Sequence, residues 1–151
     1  MIVAAQSALQ GAMVCALVDS TGTSVLTRKS AKSMLKYLQD RRNATAYPRE
    51  ELERFEPLLV KCESALGLVI DPKEREDIVR LHSHFRNSFI HFTPKGWGIE
   101  KTGLPRIIGA AINMVEKLMG MDVMGVRLDE GQVVRLRSSL VDIRRSLRPP
   151  V

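Results

Sequence analysis

Three histidines, His82, His84 and His91, fall within ten consecutive positions, with Arg86 and Asn87 between them. An imidazole has an ordinary pKa of about 6.5, so it can take or give a proton near neutrality. A guanidinium holds negative charge that develops on oxygen. Side by side, the two groups suit proton transfer next to a bound anion. At about 100° per residue, Arg80, Ser83, His84, Asn87 and His91 share one side of a helix, opposite Ile78, Leu81, Phe85, Phe89 and Phe92. Asn87 and His91 stand at i, i+4, where the amide can hydrogen-bond the imidazole and set its tautomer. Arg86 lies at the border between the polar ridge and the apolar stripe, within reach of an anion held on the ridge. A polar ridge facing only water is the competing reading of the same pattern. His82 falls near the apolar side and is expected to be a packed histidine.

Other site chemistries find less support. His82 and His84 diverge by about 200° and His84 to His91 spans about 10 Å, a poor arrangement for a metal, so no metal site and no cofactor is expected. Cys15 and Cys62 lie in apolar helical patterns without CxxC spacing, which disfavours a disulfide framework and points to a reducing compartment. No Gly-x-Ser-x-Gly occurs, and Gly96, Gly98 and Gly103 do not have the spacing of a phosphate loop.

Helices must position these residues. Apolar side chains recur at helical spacing and no run of alternating β-branched residues appears, so the expected class is all-α, a bundle of about five to six helices. The first helix is expected from Ile2 to Val18, apolar on nearly every side and packed against several neighbours or a second subunit. No Lys or Arg precedes it, Gln6, Ser7, Gln10 and Gly11 interrupt it, and it falls short of the roughly 20 apolar residues of a membrane span, so it reads as a buried helix. A second helix is expected from Ser24 to Arg42. A third begins near Pro48 and carries Leu52, Phe55, Leu58, Leu59, Cys62 and Leu66, with Pro57 marking a kink or a late start. Gly67 stops it. Asp71 as N-cap and Pro72 at the first helical position open the long helix that bears the histidines and runs to Phe92. A fifth helix is expected from Pro105 to Met119, and a last one capped by Asp129 and stopped by Pro149.

At 151 residues, 44% hydrophobic and 26% charged, the chain suits one ordinary globular domain spanning 1–151 and excludes collagen-like or wholly disordered classes. Its formal charge of +6 favours anionic partners. Two segments concentrate that charge: Arg28, Lys29, Lys32, Lys36, Arg41 and Arg42 against Asp40, and Arg135, Arg137, Arg144, Arg145 and Arg148 against Asp142. Each reads equally as a solvated helix face or as a track for RNA phosphates. Lys95 could touch phosphate and Trp97 could stack a base, although a loop tryptophan more often packs as an anchor. A DNA-binding reading would need a recognition helix, and none is evident.

The segment Arg86-Asn87-Ser88-Phe89-Ile90-His91 resembles the signature of the HEPN superfamily, Arg followed by a polar residue and then a His. The loose Arg-x4-6-His form also occurs from Arg75 to His82. The stricter Arg-Asn-x3-His form is expected at roughly 0.006 occurrences in a shuffled chain of this composition. The continuation from His91 to Glu100 and on to Gly103-Leu104-Pro105 is similar to a bacterial and plasmid-borne HEPN subfamily over most of the chain.

The resemblance implies a helical bundle that pairs as a homodimer through its motif helices, in the cytoplasm, with two Arg-His sets in one composite cleft. It implies a metal-independent endoribonuclease of the kind used in toxin-antitoxin systems, antiviral defence, stress response or RNA processing. The catalytic residues would then be Arg86, Asn87 and His91. His91 would act as base or acid on a ribose 2′-hydroxyl, Arg86 would stabilise the charged phosphate, and Asn87 would orient one of them. Arg80, His84, Lys95 and Trp97 are the additional RNA-binding candidates. An antitoxin or regulatory protein is a partner the resemblance allows. Members whose antitoxin is a nucleotidyltransferase carry Tyr two positions after the His, where this chain has Thr93, so that partner is not expected. The superfamily also holds inactive members, which makes a non-catalytic module binding RNA, a nucleotide or a protein the alternative.

Overall fold

A computed structural model describes residues 1–86 and 103–147. The first 16 helical residues form α1, Ile2–Leu17, with no charged side chain among them. It buries Ile2, Ala5, Gln6, Leu9, Met13, Ala16 and Leu17. Its other face, with Val3, Ala8 and Cys15, is exposed, so the helix is one-sided where sequence suggested burial on nearly every side. Cys15 is therefore exposed, contrary to expectation, while Cys62 is buried.

The second helix starts later than expected. Thr23–Val25 forms a 3₁₀ turn, and Thr27 caps α2, Arg28–Gln39, by accepting from the Ser30 amide. Val25 is buried, and its carbonyl accepts from the Glu53 amide while Thr27 N–H donates to Glu51. These bonds bring Leu26 and Leu52 into a single antiparallel bridge, which holds residues 50–53 extended. The third helix is accordingly α3, Phe55–Ala65, rather than one starting near Pro48. Pro57 falls in its first turn, where its missing N–H has no helical partner to lose. Gly67 ends this region at φ +64°, a left-handed conformation in which only glycine avoids a Cβ penalty.

The expected caps on α4, Pro72–Arg80, are present: the Asp71 carboxylate accepts from the Lys73 and Glu74 amides, and Pro72 opens the helix. The helix does not continue as a regular α-helix. Leu81–Arg86 forms a π-helical turn, and residues 87–92 lie outside the described region. After it comes α5, Leu104–Met119, which buries Ile107, Ile108, Ala110, Ala111, Ile112, Met114, Val115 and Leu118. This helix is the centre of the bundle, packed against α1 and α4. Two ion pairs, Glu74 with Lys117 and Asp77 with Arg106, join α4 to α5. The later α4 residue meets the earlier α5 residue, so the two helices run antiparallel.

A short α6, Asp122–Gly125, was not anticipated; it follows the Gly120 break and buries Met124. The last helix is α7, Glu130–Ser146, with Asp129 and Gln132 in a reciprocal capping box. Leu140 is its one buried residue. Beneath it runs an apolar groove of about 480 Å³, lined by α1, α5 and α7 residues that include Ala8, Cys15, Ile112 and Leu136. The described residues thus form an all-α helical bundle around a single aliphatic cluster. No described helix is long and apolar enough to cross a membrane.

Because α7 is held by so little buried surface, its cap should act locally. Asp129→Ala is expected to cost α7 about 1 kcal/mol. The result should be faster amide exchange along α7 with little change in the denaturant midpoint of the bundle. An equal loss in both observables would contradict this local role.

Candidate functional site

The candidate ridge lies where α4 gives way to the π-helical turn. In a π turn the backbone closes i→i+5 bonds, and such single turns recur at functional positions in helices. Despite the changed winding, the expected two faces are kept over the described residues. Ile78, Leu81 and Phe85 are buried, whereas Arg80, Ser83 and His84 are exposed. The Arg80 guanidinium lies over the Phe85 ring at 5.9 Å, and the His84 ring meets the same phenyl edge-on at 5.1 Å. Phe85 therefore supports both outer candidates from below. Arg86 is the last described residue of the turn and is half-buried, at the border that its sequence position suggested.

His82 is a packed histidine, as expected. Its ring stacks on Phe55 with centroids 4.4 Å apart and planes within 7°. The Gln6 side-chain amide, itself 2% exposed, lies 3.3 Å from His82 Nδ1 and also donates to Gln10 Oε1 at 3.0 Å. An amide N–H can only donate, so Nδ1 accepts and the ring proton resides on Nε2. Burial pushes the His82 pKa below its ordinary value, the nearby Arg86 charge pushes it further, and Glu56 opposes both. His82 is thus held neutral beside the Arg86 cation.

Gln6 is the contributor that sequence reasoning missed. Its signal was present: a polar side chain on the inward face of an otherwise apolar helix needs an internal partner. Of the other named residues, Asn87, His91, Lys95 and Trp97 lie outside the described region. The structure brings Arg80 and His84 together around Phe85, and Arg86 together with His82.

A separate cleft of about 910 Å³ lies along α4, α5 and α7. The pairs Asp77–Arg106, Glu74–Lys117 and Glu116–Arg144 line it, so its charges are largely compensated. Among the described residues no group of three or more His, Cys, Asp or Glu side chains is placed to hold a metal.

The neutral His82 makes a pH prediction with a definite sign. A histidine whose folded pKa is lowered binds its proton more readily in the unfolded chain. Its contribution is complete above the ordinary pKa of about 6.5 and is lost as pH falls through that value. The urea midpoint should therefore fall between pH 7.5 and 5.5, and His82→Leu should flatten that fall. An unchanged pH slope in the variant would overturn the assignment.

The fold and the ridge define a helical bundle with a basic, histidine-bearing turn. No family model matches this chain, and no curated protein or solved structure matches it either.

Proposed function

We propose that the protein is a metal-independent endoribonuclease of the HEPN type, acting as a cytoplasmic homodimer in bacterial defence, toxin-antitoxin function or stress response. The observation that carries this reading is the Arg-Asn-x3-His pattern beginning at Arg86, a residue of the π-helical turn Leu81–Arg86. Single π turns recur at functional positions in helices, which supports a functional role for this stretch. The chain's +6 charge suits a polyanionic substrate.

In this reading His91 takes the proton of a ribose 2′-hydroxyl as that oxygen attacks the adjacent phosphorus. The P–O5′ bond breaks, the leaving 5′-oxygen receives a proton, and a 2′,3′-cyclic phosphate remains on the upstream fragment. Arg86 offsets charge growing on the non-bridging oxygens, and Asn87 orients the imidazole or the phosphate. Two copies contribute their motif helices to one cleft.

The test is incubation of the purified chain with a mixed RNA pool in excess EDTA, with the solution mass measured in parallel by ultracentrifugation. The reading predicts shortened RNA and a mass twice that of the 16.9 kDa chain. RNA left intact by a dimer would instead support the non-catalytic binding module. A monomer would count against the composite cleft.

A further inference from the structure

The two basic segments look alike in sequence, but their surroundings differ. On α7 the Arg144 guanidinium clasps Glu116 through two nitrogens and also donates to Asn113 at 2.7 Å, and Arg145 pairs with Asp142 at 3.7 Å. On α2 the exposed cations Arg28, Lys29, Lys32 and Lys36 make no ion pair among the described residues. Arg28, Lys32 and Lys36 follow at i, i+4 and i+8, so they form a row about 6 Å apart along one side of the helix. The opposite side is closed. Met34 is buried, and Ser30 donates to the Arg49 carbonyl at 2.9 Å while accepting from the Glu51 amide.

Aromatic rings stand at the C-terminal end of α2. Tyr37 of α2 and Tyr47 of the following loop meet edge to face at 5.2 Å, and Tyr47 is 62% exposed. Arg41 is near enough for its charge to bear on the Tyr47 hydroxyl. The acids of this region are engaged at that same end: Asp40 accepts from the Asn43 amide and Glu50 from the Tyr47 hydroxyl. Glu51 is exposed, and its backbone is bonded to Thr27 and Ser30 at the start of α2, the other end of the row.

We infer that the face of α2 bearing Arg28, Lys32 and Lys36, together with Tyr47, binds single-stranded RNA, the cations tracking phosphates and the exposed ring stacking a base. Unpaired cations in a row beside an exposed aromatic ring are the two elements that sequence-tolerant single-strand binding uses. Leu35 and Leu38 of α2 are exposed beside the row, so a lipid surface is the competing occupant and vesicle binding is one arm of the test. The choice of RNA over other single strands rests on the ribonuclease reading above; the location of the track does not.

The experiment is fluorescence anisotropy of a labelled uridine-rich 20-mer RNA in EDTA, in the His91→Ala background so that no cleavage intervenes. Combined Arg28→Ala, Lys32→Ala and Lys36→Ala should weaken binding about tenfold or more and reduce the slope of log affinity against log salt by about 2. Tyr47→Ala should weaken it about fivefold. Combined Arg135→Ala, Arg137→Ala and Arg145→Ala is a control of equal charge loss on α7. Arg135 and Arg137 make no ion pair among the described residues but diverge by about 200° and form no row, so affinity should change less than about threefold. Unchanged affinity in the α2 variant, an equal loss in the α7 control, or tighter binding to duplex DNA or to phosphatidylserine vesicles would overturn the inference. Helical circular dichroism of each variant confirms that these exposed substitutions leave the fold intact. RNA bound through α2 but cut by no wild-type preparation would leave this inference standing and remove the ribonuclease reading instead.

Discussion

His91→Ala is expected to lower RNA cleavage by at least about a hundredfold, the loss usual when a general acid or base is removed. Arg86→Ala should reduce it by a similar factor, because charge on the phosphate oxygens then develops without a donor. Arg86→Lys should restore little, since an ammonium cannot present two parallel N–H groups to a phosphate. His84→Ala and Arg80→Ala remove exposed residues beside Phe85 and should act more weakly, through binding of RNA. Initial rates of fragment appearance, measured beside circular dichroism for each variant, separate these outcomes. Arg86 is half-buried, so a rate loss counts only if the unfolding midpoint is retained. Undiminished cleavage by His91→Ala would remove the proposed chemistry.

The largest stability effect should come from Phe55→Ala, at about 3–5 kcal/mol. Phe55 opens α3, is 1% exposed, and lies face to face with His82. Truncation leaves a cavity and also removes the cover from an imidazole whose neutrality depends first on burial. The same substitution should therefore move the His82 pKa back toward 6.5. Urea unfolding reads the first effect and the His82 ring protons in NMR read the second. A loss below about 1 kcal/mol would mean that the site collapses around the gap and that Phe55 does not organise the α3–π-turn contact.

The all-α class and most helix positions were legible because apolar spacing and caps agree. Asp71 with Pro72 and Asp129 with its first turn are local signals that need no tertiary information. The boundaries of α2 and α3 were not, because long-range hydrogen bonds set them. The Val25 carbonyl and Thr27 amide are taken by Glu53 and Glu51, which cuts short a segment whose composition would have allowed more helix. Cys15 was misplaced since an uncharged helix gives little sign of which side faces out. The π-helical turn was also hidden: Ile78, Leu81 and Phe85 keep their i, i+3 and i+7 spacing through it, so the apolar pattern is the same for either winding.

For the site, the helical wheel separated exposed Arg80, Ser83 and His84 from half-buried His82 and Arg86. It could not supply Gln6, whose partner is remote in sequence. Nor could it rank the two basic segments, because free and paired cations have identical letters. The pairing of Arg144 with Glu116 and of Arg145 with Asp142 sets that end of α7 apart from the row on α2.

The chemistry of the cut ends tests the central claim most directly. Wild-type protein and His91→Ala, each treated with RNA in excess EDTA, should be compared by end-labelling and mass analysis of the fragments. The account predicts 2′,3′-cyclic phosphate termini with the wild type and none above background with the variant. Fragments ending in 3′-hydroxyl, or equal yields of cyclic phosphate from both proteins, would contradict it.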